Sequence, residues 1–83
     1  MNNRQKQIIK TLLEALSDRE GLCSETVIHG MIAIKLGERV TLNEFEEALR
    51  FCDSQRWLTS LRSELNTLLW KINHSGRAAL SEL

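Results

Sequence analysis

VTLNEFEEALRFCDSQRW, residues 40–57, is the stretch from which the rest of the chain is read. Thr41 and Glu44 stand at the spacing of a capping box. The Thr41 hydroxyl accepts the backbone N–H of Glu44, and the Glu44 carboxylate reaches back to the N–H of Thr41. Val40 before the cap and Phe45 in the second turn are placed as a hydrophobic staple, which sets the angle of entry into the helix. Leu42, Phe45, Leu49 and Cys52 then recur at three- and four-residue intervals as one apolar stripe. At Trp57-Leu58-Thr59 the composition changes to strand formers. The spacing predicts a helix from Leu42 to about Arg56 that feeds directly into a strand.

Two more helices precede it. Ile8, Ile9, Leu12, Leu13 and Leu16 share one broad face of a helix from about Asn3 to Leu16, with Lys6, Lys10, Glu14 and Ser17 opposite. Ser17-Asp18-Arg19-Glu20-Gly21 breaks that period, and Leu22-Cys23 is long enough only for a very short strand. Ser24 is a good cap for a second helix, Glu25 to Leu36, and Gly37 is placed as its stop. Its main stripe is Val27, Ile28, Met31 and Ile34, but Ile32, Ala33 and Leu36 make the remaining face apolar too. Such a helix is either held between two others or covered by a second subunit, and burial within the monomer is the plainer account.

After Arg56 the pattern turns to period two. Residues 57–61 and 67–72 read as a hairpin, with Leu68, Trp70 and Ile72 alternating onto one face and residues 62–66 at the tip. Asn73 caps a terminal helix from His74 to Leu83. The expected core is Ile8, Ile9, Leu12, Leu13, Leu16, Val27, Ile28, Met31, Leu42, Phe45, Leu49, Cys52, Leu58, Trp70 and Leu80.

Eighty-three residues with 42% hydrophobic and 27% charged content form one domain spanning residues 1–83. No apolar run approaches the length of a bilayer span, and the first residues lack a signal-peptide core, so a cytoplasmic protein without a membrane partner is expected. Eleven basic residues balance eleven acidic ones. That balance counts against strong non-specific nucleic-acid binding, which needs a basic face, yet leaves a specific arrangement open. Cys23 and Cys52 are expected to be reduced and packed as small hydrophobes.

The run Trp70-Lys71-Ile72-Asn73-His74-Ser75-Gly76-Arg77-Ala78-Ala79-Leu80 resembles the exit from the wing in winged helix-turn-helix regulators of the ArsR/MarR type. In those regulators a strand ends in Ile-Thr, two variable residues follow, and then Gly-Arg with small apolar residues. Asn73 stands here where threonine is usual, and either side chain caps a helix. Together with a third helix running into Leu58, the whole chain is similar to the small single-domain regulators of bacteria and Mu-like phages or prophages. The resemblance implies an α+β, mainly helical winged helix. It comprises a three-helix core, a β-hairpin wing and a short C-terminal helix. It also implies a DNA-binding transcription regulator acting on duplex DNA as a homodimer.

Carried onto this chain, helix three is the recognition helix. Asn43 and Arg50 would touch base edges, while Arg62 at the wing and Arg4, Lys6 and Lys10 near the N-terminus would touch phosphates. The same helix departs from that pattern. Residues 38–53 carry Glu38, Glu44, Glu46, Glu47 and Asp53 against only Arg39 and Arg50, and carboxylates facing phosphates are repelled. In the wing Arg62 is offset by Glu64. The alternative is a protein-interaction winged helix that does not bind DNA and docks a partner through Phe51, Glu47 and Leu65.

Trp57 and Trp70 are read as anchors of the wing to the core rather than as base-stacking platforms. Cys23, His29, Cys52 and His74 lack the paired spacing of a structural zinc site, so no metal is expected. No nucleophile–base pair, glycine-rich phosphate loop or paired-carboxylate site stands out, so neither enzyme activity nor a cofactor is expected.

Overall fold

The computed structural model describes residues 2–83, as four helices and a three-stranded antiparallel sheet. In chain order these are α1 (Asn3–Ser17), β1 (Cys23–Ser24), α2 (Glu25–Leu36), α3 (Leu42–Ser54), β2 (Leu58–Arg62), β3 (Leu68–Ile72) and α4 (His74–Glu82). The strands lie in the order β1-β3-β2. Leu58 pairs with Ile72 and Arg62 with Leu68 across the hairpin, while Cys23 and Ser24 pair with Trp70 and Leu69 on its other side. This register turns Cys23, Leu58, Trp70 and Ile72 toward the helices, where all four are buried.

Each helix starts on a side-chain cap. Thr41 Oγ accepts the Glu44 N–H at 3.1 Å and the Glu44 carboxylate accepts the Thr41 N–H at 3.0 Å, the expected capping box. Ser24 and Asn73 cap α2 and α4 through the N–H groups of Val27 and Gly76. Asn2 and Gln5 form a second capping box that opens α1, a signal the sequence reading passed over. Gly37, at φ 69°, closes α2 in the left-handed conformation that glycine adopts without a Cβ penalty.

α3 ends two residues before the expected Arg56, because Arg56 itself turns left-handed at φ 60°. The Arg56 N–H bonds the Asp53 carbonyl at 2.9 Å and the Trp57 N–H bonds the Cys52 carbonyl at 3.1 Å. That is the double closure of a Schellman motif with arginine where glycine is usual. At the hairpin tip Asn66 is also left-handed, at φ 64°, and its N–H bonds the Ser63 carbonyl. With Ser63 N–H bonding the Thr67 carbonyl, residues 64–66 form a three-residue hairpin loop ending in a left-handed residue.

The core contains Ile8, Ile9, Leu12, Leu13 and Leu16 of α1, Ile28 and Ile32 of α2, and Phe45, Ala48, Leu49 and Cys52 of α3, closed by Val40 and the sheet. Two expected core positions are corrected: Val27 and Leu42 are exposed, at 43% and 61%, whereas Met31 and Leu80 are half-buried and pack against the core. Leu42 occupies the first position of α3, beside its cap, and stays in solvent. On α2 the inward stripe is centred on Ile28 and Ile32, one helical step round from the expected line. Ile34 is left 82% exposed. Phe51 is half-buried and meets Trp57 edge to face, with ring centroids 5.7 Å apart.

Candidate functional site

α3 is packed on one side only, so its other residues define the surface on which any binding is read. Helical spacing puts Phe45, Ala48, Leu49 and Cys52 inward and Asn43, Glu47, Arg50 and Ser54 along an outward ridge. Glu46 and Asp53 line the flank toward β3, and Glu44 and Phe51 the flank toward α1. Two grooves follow from this arrangement. Between α1 and α3 lies an open groove of about 600 Å³ with Ile9, Ala48 and Phe51 on its floor and Glu44 and Glu47 on its wall. Between α3 and β3 lies a smaller one, about 340 Å³, over Leu49, Leu68 and Trp70 with Glu25, Glu46 and Asp53 around it. Arg50 stands on the ridge that separates them.

The basic residues expected at phosphates do not converge. Arg4 is engaged within its own chain at the surface. Its guanidinium pairs with Glu38, donates from Nε to Glu44 Oε2 at 2.9 Å, and reaches the Arg39 carbonyl at 3.0 Å. Arg62 donates to the Asn66 carbonyl at 3.1 Å and so braces its own turn. Arg50 faces out, with its side chain 74% exposed and its guanidinium 4.0 Å from Glu46. Asn43, Lys6 and Lys10 are exposed, the lysines on α1 rather than on α3. Of the residues expected to meet a protein, Glu47 and Phe51 line the larger groove together. Leu65, 89% exposed at the hairpin tip, is separate from them.

The charge on this surface is well defined. The Arg4 guanidinium and then the Thr41 N–H hold the Glu44 carboxyl down at about 2. Glu44 is therefore a fixed anion at the head of α3, where the helix dipole also favours negative charge. On the outward and β3-facing sides, Glu46, Glu47 and Asp53 stand against Arg50.

The remaining chemically active side chains are committed elsewhere. His29 stacks in parallel on Phe45, centroids 4.9 Å apart, and its Nε2–H donates to the Val40 carbonyl at 2.6 Å. Trp70 is buried and donates from Nε1 to Glu25 at 3.1 Å. Burial pushes the Cys52 thiol up to about 12, and Cys23 is a second buried free thiol. Among the described residues, no group of three or more His, Cys, Asp and Glu side chains is placed to hold a metal ion. Among the described residues, no helix is long and apolar enough to cross a membrane.

Sequence reasoning missed the Arg4–Glu38–Glu44 network because its members lie far apart in the chain. The acidity of α3 was its only advance sign. The apolar groove was signalled by Phe51, an aromatic residue just outside the inward stripe. Comparison of the chain with protein-family models, with curated proteins and with solved structures returned no match.

Proposed function

We propose that the chain is a winged helix whose α3 docks protein rather than DNA. The observation that carries this reading is the charge on the exposed side of α3, where Arg50 alone faces Glu46, Glu47 and Asp53. A duplex laid against that surface meets net negative charge, whereas phosphate contacts supply most of the affinity of DNA binders. Beside the carboxylates lies an apolar groove large enough for side chains of a partner. The test places a photo-crosslinking amino acid at position 47 and, as a control, at position 71 on the opposite sheet face. Protein adducts from 47, absent from 71 and lost when Phe51 is replaced by serine, are expected. Equal labelling from both positions would reject the reading.

Duplex DNA binding, with Asn43 and Arg50 at base edges, is the second reading. Two observations favour it. The element order, with α2 turning into α3 ahead of an antiparallel hairpin, is that of DNA-binding winged helices. Asn43 and Arg50 also share the outward ridge, unburied. Anisotropy of a labelled mixed-sequence duplex at low salt separates the two. The docking reading expects no saturable change, while salt-sensitive binding that weakens in Arg50→Ala would establish the second.

A further inference from the structure

We propose that the docked protein lays a basic amphipathic helix in the groove between α3 and β3, with lysine or arginine at two positions seven apart and an apolar side chain between them. The inference rests on the docking reading and names the chemistry of its occupant from the charge of the groove. Glu46, Leu49 and Asp53 follow one another along the flank of α3 that borders this groove, three and four residues apart. Leu68 and Trp70 of β3 complete an apolar floor, and Glu25, at the start of α2, stands beside it.

The carboxylates are placed to receive cations from outside the chain. Glu25 is fixed through one oxygen, Oε2, which accepts the Trp70 Nε1–H at 3.1 Å. The Glu46 carboxylate has the Arg50 guanidinium at 4.0 Å, beyond hydrogen-bond reach. Among the described residues Asp53 takes part in no ion pair. It also stands in the last turn of α3, which carries no basic residue, so its charge adds to the negative end of the helix dipole. Three carboxylates against one arginine leave the groove net negative, and a cation brought by a partner relieves both the mutual repulsion and the dipole. In the α1–α3 groove, by contrast, Arg4 already takes the Glu44 carboxylate and leaves Glu47 alone.

Spacing selects the conformation of the occupant. Seven residues of α-helix span about 10 Å, so Glu46 and Asp53 match two basic residues seven apart on a second helix. The residue three or four positions along that helix then faces Leu49 and Leu68. An extended segment repeats its side chains on one face about every 7 Å and falls out of register with the two carboxylates.

The experiment pans a displayed library of random twelve-residue segments over the immobilised full chain, then measures the best binder by fluorescence anisotropy. Selected segments are expected to carry lysine or arginine seven apart with an apolar residue between. Glu46→Gln combined with Asp53→Asn should weaken the binder by about tenfold or more, with circular dichroism confirming the fold. Removing the same charge at exposed positions elsewhere, by Glu20→Gln with Glu82→Gln, should change affinity by less than about twofold. A library that yields no binder overturns the proposal, as do binders without basic residues or binders indifferent to the Glu46 and Asp53 substitutions. Basic binders whose charges follow the period of an extended chain overturn the helical occupant. Protein adducts from position 47 that persist after Glu46→Gln and Asp53→Asn would leave the docking reading standing and remove this groove from it.

Discussion

Gly76 has no room for a side chain. A Cβ there would sit 2.3 Å from the Trp57 carbonyl oxygen and 2.7 Å from Ile72 Cγ1. Gly76→Ala should therefore destabilise the fold by about 1–3 kcal/mol, read from urea denaturation. The glycine in the Gly-Arg pair thus has a physical reason, the close approach of α4 to the turn after α3. Arg56 presents the converse case. It holds a left-handed conformation in which L residues carry a cost of about 1–2 kcal/mol. Arg56→Gly should raise stability by up to about 1 kcal/mol in the same assay, since the added freedom of the unfolded chain takes back part of the gain. Glu44 sets a pH dependence. Its carboxyl is lowered from an ordinary 4.5 to about 2, so the unfolded chain binds its proton more readily than the folded one. The resulting stabilisation is complete above about 4.5 and is lost as pH falls through about 2. Melting temperatures measured across this range should show a slope that Glu44→Gln flattens.

α3 packs on α1 and β2 and carries the largest fully buried side chain of the core. Phe45 is 1% exposed, staples the helix to the core and carries the ring of His29. Phe45→Ala should cost about 3–5 kcal/mol through lost burial and a cavity. Thr41→Ala should cost about 1 kcal/mol through the lost cap alone, with both read by chemical denaturation. That this helix would form was legible in residues 40–57, because capping and periodicity are local and agree with one another. The orientation of α2 was not. With Val27, Ile28, Met31, Ile32 and Ile34 spread around it, apolar spacing does not choose a face, and the packing of α1 and the sheet decides that Ile28 and Ile32 go inward. The end of α3 was misjudged for a similar reason. Arginine gives no glycine-like stop signal, yet tertiary packing turns the chain at Arg56.

For the whole molecule, the order of elements was legible and the arrangement of charge was not. Zero net charge conceals a surface on which the acidic groups gather along α3 while Arg4 is paired with Glu38 and Glu44. The fold resemblance implies DNA, and the distribution of charge is the ground on which a protein is proposed instead as the ligand of α3. The two cysteines offer a measure of global integrity. Cys23 and Cys52 are buried in one continuous core, and Cys52 at about 12 holds its proton firmly. Neither thiol should react with a disulfide reagent in the native state. Their labelling should follow the opening of the entire domain, with labelling rates falling in step with stability across the variants above. Fast labelling of either thiol in the stable protein would mean that the core opens locally.

The Asn73 side chain joins two bends that also meet through the Leu58–Ile72 pair. Asn73 accepts the Gly76 N–H at 2.9 Å, and its amide donates to the Arg56 carbonyl at 2.9 Å, while its own N–H bonds the Trp57 carbonyl at 3.1 Å. Threonine would preserve the first of these bonds and forfeit the second. The two bends are therefore latched. In hydrogen exchange, the amides of Trp57 and Gly76 should share one opening free energy in the native protein and part company in Asn73→Thr, and the tip around Leu65 should exchange on its own clock.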